Sequence, residues 1–497
     1  MKKLVFLLAI TCIQVVKLFG QSGILDPSFG TSTPAGTSIF TGVAAGSFEQ
    51  GMAIQPDNKI LVSTGNGTGM GRLNPDGSID NTFGNSGWIS VPPFEFGDIL
   101  LQADGKILAA GRNTQISYND IYVYRIKSNG TFDSSFGKNG RVGDSSIGSG
   151  YGHIGIQSGT KIIFSGSLGL KRLNMTDGSL DASFGTAGFV RMAQLPIEPL
   201  DLMVDPSNGN IYLSGITKSV SHLAIVRLTP NGQMDVSFGT NGVDSLTLKN
   251  TSLSVQMRMA MNSKGTIILV SEYDNGTQTG TVCLAFTQAG VLDNTFTNAG
   301  QAILSWSISP GFALFEDIAL SADDKIYIGA TISDNVNPTR QTDISLQRLS
   351  ATGQFDAGYT IVKTDINHSV DRIQAMKVQP DGKVLVNGST AGGELVARYT
   401  IMGAGVLSGS NDAFTVKMLP NPASTNARLQ ISSPYPAQAS VAIYSMEGKL
   451  IRVIGKQFSI GQQLLQTDID ISELASGVYR LEICSSEHHQ NLMFQKL

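Results

Sequence analysis

A turn-and-strand signature returns seven times between residues 55 and 386, and that recurrence limits the chain to a repeat architecture. Its clearest copies are Gln55-Pro-Asp-Asn-Lys-Ile-Leu-Val, Gln102-Ala-Asp-Gly-Lys-Ile-Leu-Ala and Gln379-Pro-Asp-Gly-Lys-Val-Leu-Val; weaker copies start at Gln157, Asp205, Asn262 and Ser321. Each reads as a strand, a tight turn built from Pro, Asp and Gly, and a second strand of β-branched residues. A second signature alternates with it. Arg72-Leu-Asn-Pro-Asp-Gly-Ser-Ile-Asp, followed by Asn81-Thr-Phe-Gly, returns at Arg125, Arg172, Arg227, Ala285 and Arg348. An Asp and an aromatic follow each time, the aromatics being Phe83, Phe136, Phe184, Phe238, Phe296 and Tyr359.

Successive aromatics lie 48 to 63 residues apart. Two hairpins in such a period make four strands, the size of one propeller blade, and leave no room for long helices. The ends of the array are complementary. Leu25-Asp-Pro-Ser-Phe-Gly has the closing half of the motif without an Arg strand before it, whereas Val396-Ala-Arg-Tyr has no closing half after it. In a ring the N-terminal segment fills the outer strand of the last blade and removes two open edges. The expected fold is therefore all-β, a seven-bladed propeller over 23–405.

The loop Pro75-Asp76-Gly77 suits a three-residue hairpin turn, which pairs Asn74 with Ser78, Leu73 with Ile79 and Arg72 with Asp80. The same offset joins Arg125 to Asp133, Arg227 to Asp235 and Arg348 to Asp356; blade three carries one extra residue (Arg172, Asp181), and blade five has Ala285 opposite Asp293. A recurrent cross-strand ion pair follows, each worth about 0.2–1 kcal/mol. The ring would be closed by Asp26, Phe29 and Arg398 from opposite chain ends. These motifs resemble the delta-60 repeat, a β-propeller repeat of exported bacterial proteins, over nearly all of residues 23–405. The resemblance implies a propeller and brings no catalytic residues with it.

A Gly/Ser stretch over 406–413 reads as a linker. Beyond it, strands are expected at 428–432, 440–445, 449–454, 463–468 and 478–484, a small Ig-like β-sandwich over 414–497. Its motifs resemble the C-terminal sorting domain of type IX secretion. Leu419-Pro420-Asn421-Pro422-Ala423 matches the opening motif, Ile443 to Gly448 and Lys449 the central hairpin, and Leu474 to Gly477 and Tyr479 the penultimate strand; Lys496 stands at the basic end. The resemblance implies type IX machinery as a partner, passage through the periplasm, and release or attachment at the surface of a Bacteroidota-type cell.

Lys2 and Lys3 precede an apolar run from Leu4 to Ile10 that weakens towards Val16, and Gly20, Gln21 and Ser22 follow. The run is too short to span a membrane and reads as a signal peptide over 1–22. Thr11 is a poor residue before an acylated Cys12. Only Cys283 and Cys484 would remain after cleavage, so no disulfide framework is expected. A formal net charge of −4 leaves no footprint for nucleic acid.

The search for chemistry ends mostly in structural readings. An Asp present in every blade is a turn or ladder element before it is a catalyst. His153, His222, His368, His488 and His489 lack metal-ligand spacing, and no nucleophile elbow or phosphate loop occurs. No catalytic, cofactor or metal residues are assigned, and no cofactor is expected. Tyr118, Tyr122, Tyr124, Tyr151, Trp88 and Trp306 are unrepeated aromatics suited to packing between blades or to a glycan- or protein-binding platform. The expected function is a secreted or surface-attached binding or structural module for protein or glycan. The alternative is a polysaccharide hydrolase or lyase with carboxylates gathered in the channel.

Overall fold

A computed structural model describes residues 24–41, 51–64, 69–90, 94–113, 121–148, 152–219, 222–249, 256–274, 279–304, 312–333, 342–356, 362–366, 368–400, 415–419, 423–432, 437–445, 450–460, 465–475, 477–485 and 489–496. The signal segment, the linker, Cys12, Tyr118, Tyr151, Trp306, Tyr359 and His488 lie outside them. The chain divides into two compact units, Met1–Ile401 and Met402–Leu497.

The first unit is a seven-bladed β-propeller. Six antiparallel sheets of four strands follow one another over 52–89, 94–144, 154–191, 197–249, 257–304 and 312–364. The seventh takes three strands from 372–400 and completes itself with Ile24–Leu25 and Thr37–Phe40, both paired to Gly393–Thr400. The first strand of each blade touches the first strand of the next, and Arg372–Val378 touches Met52–Ile54, which closes the circle. Among the described residues, helical turns are confined to Met192–Gln194 and Thr297–Gly300, and no helix is long and apolar enough to cross a membrane.

Why these segments form strands is plain in their burial. Ile60–Thr64, Ile326–Ser333 and Val384–Thr390 are buried at every position. A blade flanked by two others covers both faces of its middle strands, so they read as continuous β-branched runs instead of alternating ones. The core accordingly lies between blades. One cluster joins Met52, Ile60, Val62 and Leu73 of blade one to Ala375, Leu385 and Val396 of blade seven, with Phe29 and Phe40 of the N-terminal segment among them.

Within each blade the motif hairpin has a fixed register. Leu73 bridges Ile79, Asn74 N–H bonds the Ser78 carbonyl and Asp80 N–H the Arg72 carbonyl. Trp88 meets Phe40 edge-on with ring centroids 5.3 Å apart, and Tyr124 is buried in a cluster that includes Met70 and Phe83 of blade one, so these two aromatics pack between blades. Cys283 is a buried free thiol.

The second unit is a sandwich of a three-stranded and a four-stranded sheet. Val416, Leu429 and Ile469 of the first share a core with Val441, Ile443, Leu481, Leu492 and Phe494 of the second. Among the described residues it has seven strands where the sequence pattern predicts five, because Thr415–Leu419 and His489–Lys496 also pair. The last strand buries Leu492, Phe494 and Lys496, but the polar run His488-His-Gln-Asn before it hides that alternation.

Candidate functional site

The repeated motif builds the joints between blades. Arg72 Nε donates to Asp80 Oδ2 at 2.7 Å, its guanidinium lies 4.4 Å from the Phe83 ring centroid, and its Nη1 reaches forward to the Ser128 carbonyl of blade two at 2.5 Å. Arg125 reaches Met175 and Thr176, Arg172 reaches Pro230, Arg227 reaches Gln288, and Arg398 reaches Pro75, each a turn of the next blade. Lys59, Lys161 and Lys383 add a second cation to Asp80, Asp181 and Asp26 at 3.0, 2.7 and 3.4 Å.

The motif glycine of one blade lies flat on the motif phenylalanine of the blade before. A Cβ on Gly130, whose φ is +88°, would stand 2.4 Å from Gly84 N and 3.1 Å from the Phe83 ring. At the closure, Asp26 accepts from Arg398 Nε at 2.8 Å while Phe29 lies under the guanidinium at 4.5 Å. Burial pushes the Asp26 carboxyl up, but Ser28, Arg398 and Lys383 outweigh it and hold the group below the usual carboxylate range.

Unrepeated charges gather on the first strands. Asp98, Asp201 and Asp317 sit at bulges where the register shifts between Phe96 and Ile99, Pro199 and Asp201, and Phe315 and Asp317. Each carboxylate accepts a backbone N–H from the first strand, or its start, of the next blade: Ile154 at 3.2 Å, Met259 at 2.7 Å and Met376 at 2.7 Å. His153 Nδ1 lies 3.3 Å from Asp98 and 3.7 Å from Asp201, and Arg258 lies 3.9 Å from Asp317.

Burial raises Asp201 to about 6 and pushes Asp317 upward as well. Asp98 keeps 40 % of its side-chain surface open. Burial opposes its ionisation, but contact with His153 outweighs that and lowers it. Nearby, burial raises Glu272 to about 7 and Glu316 to about 8.

The second oxygens of Asp201 and Asp317 accept Leu202 N–H and Ile318 N–H. Each oxygen of both carboxylates thus accepts a backbone N–H, and the two acids clip adjacent blades.

Asp343, Asp365 and Asp371 bring one oxygen each within 4.8 Å of the others. Lys363 pairs with Asp343, His368 with Asp365, and Ile366 N–H and Ser369 Oγ donate to Asp371, so each acid already has a partner. Among the described residues these three are the group best placed to hold a cation. Asp343 opens a strand of blade six, Asp365 and Asp371 lie in the connection to the first strand of blade seven, and no spacing in the sequence signals them.

In the C-terminal unit, Pro420, Asn421, Pro422, Gly448 and Lys449 lie outside the described residues. The rest of the motif set converges on the last strand. Gly477 pairs with Lys496, and Ala423 bridges Lys496 from the other side. Tyr479 donates to the Ala475 carbonyl at 2.9 Å and stacks on Phe494 with ring centroids 5.7 Å apart.

Residues 417–495 match the secretion system C-terminal sorting domain. The C-terminal domain is a type IX sorting domain. Residues 55–83, 102–136 and 207–238 match the DUF5122 β-propeller, a domain of unknown function. The sorting domain indicates export by type IX secretion, with the product secreted or attached at the cell surface.

No curated protein matches the chain. Among solved structures it is similar to the calcium-binding protein regucalcin from Agrobacterium tumefaciens, at 10% identity and a TM-score of 0.35 over 62% of this chain and 90% of that one. YCF48 from Cyanidioschyzon merolae gives 10% identity and a TM-score of 0.42 over 72% and 96%. The PQQ-bound aldose sugar dehydrogenase of Streptomyces coelicolor gives 12% and 0.36 over 74% and 99%. Likeness this distant carries no argument about function.

Proposed function

We propose that the propeller is a non-catalytic binding or structural module, holding protein or glycan outside the cell after type IX export. The observation that carries this reading is the commitment of the inner acids: both oxygens of Asp201 and both of Asp317 accept backbone N–H groups. A glycoside hydrolase needs two carboxyls free to face one bond, so these clips do not supply its machinery. In this reading residues 1–22 are a signal peptide, 23–405 the cargo, 406–413 a linker and 414–497 the sorting signal of a Bacteroidota-type bacterium.

The experiment is a glycan and host-protein binding screen with the exported form, run beside polysaccharide-degradation assays on the same preparation. Saturable binding without turnover supports the module. Turnover that survives repurification and is lost on replacing Glu272 or Glu316 would establish the hydrolase or lyase reading instead.

A further inference from the structure

Blade five departs from the joint pattern in its cations. Six other joints hold an arginine Nε 2.7–3.0 Å from the motif Asp: Arg72, Arg125, Arg172, Arg227, Arg348 and Arg398. In blade five the Arg position is Ala285, and the turn position that carries Lys59 in blade one carries Thr266. The arginine that meets the carboxylate in every sister joint, and the lysine that joins it in blades one, three and seven, are therefore both replaced.

The acceptors are all retained. Asp293 takes the Thr295 N–H and hydroxyl on Oδ1, as Asp80 takes those of Thr82, and Oδ2 is the oxygen that faces arginine in the sister joints. Phe296 supplies the ring under the guanidinium position, with Gly353 against its other side. Thr297 N–H bonds the Thr352 carbonyl at 2.8 Å, as Gly84 bonds Asn129, so blade six is docked in the usual way. That places the Ala351 carbonyl at the repeat position of Ser128, the forward acceptor of Arg72.

The carboxylate of this joint is also more open than most. Asp293 is half-buried, whereas Asp26, Asp80, Asp133 and Asp181 are buried, and Phe296 behind it is buried at 4 % exposure. Among the described residues no cation pairs with Asp293.

We propose that the joint between blades five and six is a binding site for a guanidinium group brought from outside the chain. Asp293 Oδ2 and the Ala351 carbonyl would accept its N–H groups, and the Phe296 face would stack on it. A planar, multi-donor cation fits such a site better than an ammonium does. The group comes either from free arginine or from an arginine side chain of a polypeptide.

The test is the thermal midpoint of the full mature chain in low-millimolar guanidinium chloride, L-arginine, or a short peptide with one arginine, each against the same concentration of sodium chloride or the lysine counterpart. Guanidinium at this level should raise the midpoint by about 1 °C or more, opposite in sign to its action as a denaturant. The rise should vanish in Asp293→Asn and in Ala285→Arg, the latter already starting from a higher midpoint. A response to the peptide exceeding that to free arginine assigns the site to a polypeptide partner; the reverse assigns it to the amino acid. No guanidinium-specific rise, or one that persists in Asp293→Asn, overturns the proposal even if Ala285→Arg does not fold.

Discussion

Arg398 and Asp26 stand 372 positions apart and meet at 2.8 Å in a buried ion pair. The same arginine reaches the Pro75 carbonyl of blade one at 2.6 Å, so one side chain ties the last blade to the N-terminal segment and to the first blade. Removing it leaves the buried Asp26 with the Ser28 hydrogen bonds and, among the described residues, one cation, Lys383 at 3.4 Å. Arg398→Ala should cost about 3–5 kcal/mol, somewhat less where Lys383 compensates. Urea unfolding measures the loss, and limited proteolysis should cut first within 24–40.

A joint can also be broken without touching a charge. Gly130→Ala puts a methyl 2.4 Å from Gly84 N at a φ of +88°, so the blade-two turn must lift away from Phe83. We expect a loss of about 1–3 kcal/mol from overpacking and backbone strain. Urea denaturation of Gly130→Ala beside Gly105→Ala separates the two causes, because Gly105 has a similar φ of +80° and nothing within 4 Å of its Cβ position.

Stability should fall as pH rises from about 4.5 towards 8. Burial raises Glu272 to about 7 and Glu316 to about 8, so in that window the unfolded chain has released these protons and the folded one keeps them. Proton release then favours unfolding, and the stabilisation present below the unfolded pKa is lost through the folded values. Thr331, Arg258, Glu272 and Arg372 are the groups acting on Glu316, and Phe315 N–H donates to Glu272. Glu316→Gln should flatten the decline, measured as unfolding free energy at pH 5 and pH 8.5. Below pH 4 the sign reverses, because Asp26, Asp133 and Asp235 have depressed values and their stabilisation is lost on protonation.

Deleting residues 414–497 should leave the propeller folded, since the two units have separate cores. The truncated chain should accumulate in the periplasm, as cell fractionation would reveal. Its normal appearance outside the cell would contradict the sorting role.

The ring was legible because its unit repeats in sequence: the hairpin register of Arg72 and Asp80 is local, eight residues wide, and needs only turn chemistry. The forward reach of Arg72 to Ser128 spans 56 positions and crosses to another blade, so no window along the chain contains it. Lys59 and Asp80 belong to different motifs, so their 3.0 Å contact needs the two hairpins brought side by side. The inner clips were hidden for a further reason. Asp98, Asp201 and Asp317 occupy bulges in three blades of seven, and a bulge leaves no mark in an alternating pattern. In the sorting domain the strand His489–Lys496 is not legible because it opens on His489-Gln-Asn, as polar as a loop.

Hydrogen exchange over residues 24–40 of the mature chain tests the closed ring most directly. Asp26 N–H bonds the Arg398 carbonyl at 2.7 Å, and Thr37–Phe40 pairs with Glu394 to Ala397. A closed ring gives these amides protection close to that of Val384–Thr390 in the same sheet. Exchange at free-chain rates over 24–40, with 384–390 still protected, would show that the N-terminal segment does not complete the seventh blade.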